Sequence, residues 1–469
     1  MKVRVNHSWR QPPHGSILII VLWISFGLVT LTLYFASSMA LELRAADQRV
    51  AGLQAEHAIE GAVRYVSNLL ATVEEPGLMP DLQPLEVEEV PVGDARFWLI
   101  GRGDQQTLPD LPLFGLVDEA SKLNLNTATR EMIELLPGMT VELATAIIDW
   151  RDSDDTPTEG GAEDEVYLRL DPPYRCKNAP FESVEELRLV YGMTPDVLYG
   201  EDANLNGILD PNENDGDLAP PSDNRDGQLD PGLLEYFTVF SRESATGRTN
   251  VNDAQSLAEL LQAYLNTDRA NEILRNLALG GGPGEGPGGG GGGTNVVVFD
   301  SLMEFYLRSG LTVDEFDQLY GLLTVTNGVV EGLINVNTAS EAVLACVPGI
   351  GLEGAASLVA HRLMNNDRYA SLAWVVDVLG EEQALEAGPY LTARSYQFTA
   401  DIAALGAHDR GYRRVRYVLD TSEGTPTVCA RQDLTHVGWA LGGRIREDLE
   451  LTREMRALTA PTDSIFPIR

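Results

Sequence analysis

"SILIIVLWISFGLVTLTLYFASSMAL", residues 16–41, is the stretch on which the architecture turns. It carries no charge, and at about 1.5 Å per helical residue it is long enough to cross a hydrocarbon core of about 30 Å. Lys2, Arg4 and Arg10 precede it, while Glu42 and Asp47 follow. That bias keeps the short leader cytoplasmic and sends the bulk of the chain outward. A secretory signal is the rival reading, with "SSMALELRAA" as its cleavage region, but its apolar part would be shorter. Past the span, Leu43, Ala46, Val50, Leu53, His57, Glu60, Val63 and Val66 recur at three- and four-residue steps. The spacing predicts one helix that leaves the bilayer and packs on a globular domain.

The 469 residues allow two or three compact units. With 34 basic against 70 acidic residues the formal charge is -36, which repels phosphate backbones and anionic surfaces and favours cations. Cys176, Cys346 and Cys429 are far apart, lack metal-ligand spacing and allow at most one disulfide.

The body of the chain contains an internal repeat. "KLNLNTATREMIELLPGMTVELATAIIDWR" (122–151) matches "LINVNTASEAVLACVPGIGLEGAASLVAHR" (333–362). Each reads as Asn-x-Asn, a capping residue, a periodic helix, a Pro-Gly turn and a second helix, which predicts a helix-hairpin-helix. "FESVEELRLVYGMTPDVLYG" (181–200) likewise matches "FDSLMEFYLRSGLTVDEFDQLYG" (299–321). "FTVFSRESATGRTNVNDA" (237–254) then matches "LTVTNGVVEGLINVNTAS" (323–340). Such hairpins often hold a DNA phosphate on backbone amides. Here "LPGMT" lacks the second glycine and is followed by Asp149, Asp152, Asp154 and Asp155. "PGIGLEG" retains it, but only His361, Arg362 and Arg368 supply positive charge nearby. Packing units are the preferred reading, and nucleic acid is an unlikely partner.

The first copy carries an insertion, "EDANLNGILDPNENDGDLAPPSDNRDGQLDPG" (201–232), rich in oxygen donors and turns. Aligned on an EF-hand loop, Asp202, Asn204 and Asn206 fill positions 1, 3 and 5, and Gly207 falls at the sharp turn. Ile208 offers its carbonyl at 7, Asp210 stands at 9, and Glu213 is the bidentate residue at 12. This pattern predicts calcium, against the plainer alternative of a solvated polar loop. The second half repeats the scheme with Asn224, Asp226, Gly227, Gln228 and Asp230, but Ser222 and Leu233 occupy positions 1 and 12. A second calcium there needs a borrowed ligand, Asp217 or Asp223.

No catalytic constellation stands out: the six histidines are scattered and no nucleophile elbow is present. "GGGPGEGPGGGGGG" (280–293) has the composition of a linker. Alternating stretches at 94–103, 234–242, 394–405 and 413–422 predict the strands of a short sheet.

A leader ending in Gly15 before a long half-apolar, half-amphipathic helix resembles the type IV pilins and pseudopilins. Ile20 stands where most of them carry glutamate, a residue that costs about 2.5–3.5 kcal/mol in lipid unless paired. Together with "VDEASKLNLNTA", "PFESVEELRLVYGMT" and the acidic loop, the missing glutamate makes the chain similar to the minor pseudopilin K family of type II secretion systems, across nearly its whole length. The resemblance implies an α+β pseudopilin fold: an N-terminal transmembrane and amphipathic helix packed on a small antiparallel sheet, with a large inserted helical domain. It implies a non-enzymatic subunit at the pseudopilus tip, initiating or capping assembly for export across the outer membrane. It also implies prepilin-peptidase cleavage after Gly15, methylation at Ser16, and other minor pseudopilins as partners. The protein would then sit in the inner membrane by a single pass, its large domain in the periplasm and in reach of secreted substrates. The alternative is a membrane-anchored helix-hairpin-helix DNA receptor of a competence-like system. Ser16, the glycine run and the C-terminal "HVGWALGGRIREDLELTREMRALTAPTDSIFPIR" depart from what the resemblance implies. The expected division is leader 1–15, membrane helix 16–41, pseudopilin helix and first strands 42–120, a helical domain 121–279, linker 280–294, the second helical copy 295–393, and C-terminal strands and tail 394–469.

Overall fold

The protein is described by a computed structural model over residues 15–73, 75–102, 111–278, 298–365 and 369–459. Leader residues 1–14, the glycine run 280–293, Arg368 and residues 460–469 lie outside these. Helix α1 spans Gly15–Ala71 as 57 continuous residues, and it alone among the described helices is long and apolar enough to cross a membrane. Its packed face differs from the predicted stripe. Ala51, Ala55, Ala58, Ile59, Ala62, Val66 and Leu70 are buried, whereas Val50 and Leu53 are 55% and 56% exposed. A face of alanines lets the helix backbone sit close to a sheet, and a search for large apolar residues passes over it.

Beneath α1 lie β1 (Val90–Val92), β2 (Ala95–Ile100), β3 (Val117–Asp118), β4 (Gln397–Gly406), β5 (Arg410–Asp420) and β6 (Thr427–Asp433). They form a six-stranded antiparallel sheet in the order β1-β2-β4-β5-β6, with β3 also pairing β4. Phe97, Leu99, Phe398, Ala400, Ile402 and Val415 face α1 and make one core. Trp98, Ile100, Ala403 and Leu405 point to the other face, which is covered by Ala440 and Leu441 and by Leu449 of the helix Gly442–Thr459 that follows them. The C-terminal segment, which sequence alone left unplaced, therefore closes the sheet.

The predicted strands at 94–103, 394–405 and 413–422 all fall in this sheet. The stretch 234–242 does not: it yields only the two-residue strands Phe237–Thr238 and Arg242–Glu243, each paired inside the helical body. Its alternation reflects burial among helices rather than a ladder.

The chain leaves the sheet after β3 and returns at β4, and one continuous core runs through the intervening helices. Its architecture is a unit used three times. Each unit opens with an Asn-x-Asn whose first residues pair in parallel with a later Thr-bearing strand: Leu123–Asn124 with Phe237–Thr238, Thr249–Asn250 with Leu323–Thr324, and Ile334–Asn335 with Leu391–Thr392. In each, the amide nitrogen two residues on donates to the first asparagine's side chain, at 2.9, 2.9 and 3.0 Å. The second asparagine clamps an aromatic residue's backbone, with Asn126, Asn252 and Asn337 donating to the carbonyls of Phe181, Phe299 and Tyr369. The sequence displays two copies openly, because the middle one lacks the Pro-Gly turn.

In the outer two units the helices flank that turn: Arg130–Glu134 and Val141–Arg151, then Glu341–Ala345 and Gly351–Asn365. Thr129, Thr140 and Ser340 cap the helices that follow them by accepting from Met132, Leu143 and Val343 amides. At its entry the insertion is fixed by Asp118, which accepts from the Ala120 amide, Asn335, Thr338 and Ser395.

Candidate functional site

The acidic insertion of the first unit folds as two loops of the same form. In the first, Asp202 accepts from the Asn206 and Gly207 amides, both at 2.8 Å. Asn204 donates to Asp210 at 2.5 Å, the Ile208 amide donates to Asn206 at 2.9 Å, and Glu213 spans the Ala203 and Asp210 amides at 3.0 and 2.9 Å. The second loop repeats two of these bonds: Asn224 donates to Asp230 at 2.9 Å and the Gln228 amide to Asp226 at 2.7 Å. Backbone conformation repeats as well, with positive φ at Leu205 and Gly207 in one and at Arg225 and Gly227 in the other.

The place of Glu213 in the second loop is taken by Glu201, which accepts from the Asn224 and Asp230 amides at 3.1 and 3.2 Å. Sequence reading missed it because Glu201 precedes the first loop, outside any twelve-residue window placed on the second. Of the candidates named instead, Asp223 accepts from the Asp215, Gly216 and Arg225 amides, and Asp217 is exposed.

The two loops differ in burial. Asp202, Asn206, Ile208 and Glu213 are buried, with Asn204 and Asp210 half-buried, whereas Asn224, Asp226, Gln228 and Asp230 are exposed. Burial pushes Asp202 upward despite the attraction of Arg102. It pushes Glu213 up to about 8, with Asp202 and Asp210 adding repulsion. The Asn204 side-chain oxygen is buried without a hydrogen-bond partner. Crowded carboxylates and an orphaned amide oxygen suit a hard cation that takes six to eight oxygens. Among the described residues no three aspartate, glutamate, histidine or cysteine side chains stand so as to hold a metal alone, so the asparagine oxygens and the Ile208 carbonyl would be needed.

The hairpins offer less to a ligand. Arg362 donates to the Val336 and Ala339 carbonyls and Arg151 to those of Leu125 and Ala128, the same internal bonds in two units. His361 stacks on Trp374 with ring centroids 5.3 Å apart. Asp149, expected to confront a phosphate, is buried against the Thr158 amide. Cys176, Cys346 and Cys429 are all free thiols.

A membrane-length helix laid on an antiparallel sheet, with a helical body inserted between two of its strands, defines an α+β protein with a long N-terminal apolar helix. Residues 115–199 match the family described as "Type II secretion system (T2SS), protein K". Type II secretion system protein K of Klebsiella pneumoniae is 46% identical over 150 residues, 31% of this chain and 36% of that one. Its counterpart in Pectobacterium carotovorum subsp. carotovorum is 43% identical over 56 residues, 12% of this chain and 17% of that one. The matches thus span well under half the length of either relative. Among solved structures, the GspK-GspI-GspJ complex from the enterotoxigenic Escherichia coli type 2 secretion system contains a chain 12% identical to this one. That match has a TM-score of 0.38 and covers 85% of this chain and 99% of the other. Over these stretches the chain is similar to the type II secretion system protein K family.

Proposed function

We propose that the protein is a non-enzymatic minor pseudopilin at the tip of the type II secretion pseudopilus, where it initiates or caps the fibre during export across the outer membrane. It is held in the inner membrane by α1, with the body in the periplasm, after prepilin peptidase cuts between Gly15 and Ser16. The observation that carries this reading is the exposed stripe on α1. Residues 15–50 precede the packed face, a length of roughly 54 Å at 1.5 Å per residue against a hydrocarbon core of about 30 Å. The excess leaves Leu43 and Val50 beyond the bilayer, on an exposed surface that Leu53 continues and that is suited to the helices of other minor pseudopilins. Ile20 offers no carboxylate for a subunit above it, which fits a terminal position.

In the same reading the helix pairs are helix-hairpin-helix packing units, and no observation favours DNA binding. Calcium holds the acidic insertion in shape through Asp202, Asn204, Asn206, the Ile208 carbonyl, Asp210 and Glu213, and at a second site through Glu201, Asn224, Asp226, Gln228 and Asp230.

The test is co-purification of the full chain with its minor pseudopilin neighbours from detergent-solubilised membranes. Val50→Asp should abolish recovery of the neighbours without moving the melting temperature, since Val50 is 55% exposed. Undiminished recovery and secretion would count against the assembly role.

A further inference from the structure

Two arginines meet one carboxylate on the face of the sheet away from α1. Asp401 on β4 accepts from Arg414 on β5 at 2.8 Å through both oxygens and from Arg416 at 2.9 Å. Arg414 is wholly buried, at 0% side-chain exposure. It does not spend its fork on Asp401 alone: it also donates to the carbonyl of Asn204 and, at 2.5 Å, to that of Leu205. Those carbonyls belong to positions 3 and 4 of the first acidic loop, so a buried sheet residue grips the loop by its backbone. Arg102, just past β2, donates to the same Leu205 carbonyl.

The loop also touches the C-terminal closure of the sheet. The Asn204 side chain donates to the Trp439 carbonyl at 3.1 Å. Trp439 packs on Tyr412 with ring centroids 5.1 Å apart, and its indole donates to the Gly442 carbonyl at 2.7 Å, where the C-terminal helix begins. The Ala440 amide donates to the Tyr412 hydroxyl at 3.2 Å. Loop backbone, buried arginine, sheet and helix start therefore form one connected set of bonds.

We propose that Arg414 couples the cation state of the first loop to the seating of the Gly442–Thr459 helix on the sheet. This rests on the calcium reading of Asp202–Glu213. Without a cation the three loop carboxylates repel one another and the Asn204–Leu205 segment loosens. With a cation the segment is fixed, Arg414 holds both carbonyls, and Asn204 secures the turn at Trp439. Arg414 is a positioning residue: it reaches the metal position only through the backbone it holds.

Hydrogen exchange of the full chain in detergent, with calcium and with chelator, tests this alongside calcium calorimetry. In the parent protein calcium should slow exchange across residues 439–455 by at least about tenfold. In Arg414→Met, where Arg416 still neutralises Asp401, calcium should still bind, but exchange over 439–455 should no longer respond to it. If Arg414→Met melts, Arg414→Lys replaces it, keeping the charge beside Asp401 but losing the fork that reaches two carbonyls. No heat of binding in the parent would remove the calcium reading and the coupling together. Calcium binding without a change at 439–455 would overturn the coupling while leaving the calcium reading intact.

Discussion

Glu213 sets the pH behaviour of the first loop. Burial, reinforced by Asp202 and Asp210, raises its carboxyl to about 8 from the ordinary 4.5. Between those values the unfolded chain has lost this proton and the folded chain keeps it, so the metal-free fold loses stability as pH rises through the window. On the calcium proposal, the cation would replace the proton and remove the dependence. Melting of the full chain in chelator should therefore show a midpoint falling from pH 5 to pH 8, with the fall absent in calcium and reduced in Glu213→Gln. A midpoint in chelator that holds level or rises over that range would contradict the assignment. The shape of the first loop was legible because its spacing is local, with each bonded residue fixed by its distance from Asp202. Glu201 was illegible because it comes from the residue before one loop and serves the other, a relation that only folding creates.

At the scale of elements, the contact of α1 with the β4–β5 hairpin depends on glycine. A Cβ at Gly411, whose φ is +70°, would lie 2.3 Å from the backbone of Ala51 and Gly52, and one at Gly406 would lie 2.1 Å from the Ala51 carbonyl oxygen. Gly93, with φ +61°, faces open space. Gly411→Ala should therefore destabilise the full chain by at least about 2 kcal/mol, combining overlap with strain, while Gly93→Ala should cost only about 1 kcal/mol from its backbone conformation. Comparable drops in melting temperature would mean that the helix is not seated this closely. These contacts also explain where the sequence misled. The long helix and the central strands were readable from apolar runs, but the packed face of α1 is made of alanines. Strand β6, "TVCARQD", lies at the sheet edge with most side chains exposed, so it shows no alternation to detect. The middle repeat unit lost its Pro-Gly turn while keeping Asn250, Asn252 and Phe299, the residues that fix its backbone.

For the whole molecule, the sequence and the structure together describe an anchor, a sheet and a helical body with two acidic loops, carrying a formal charge of -36. A body this large can be accommodated at the end of a fibre, while along a shaft it would obstruct its neighbours. In the proposed placement the exposed α1 stripe would supply attachment below, and Ile20 would supply none above. The most direct measurement is immunogold labelling of assembled pseudopili with antibody against the helical insertion. Tip placement predicts gold at one end of each fibre and bare shafts; gold distributed along the shafts would contradict it.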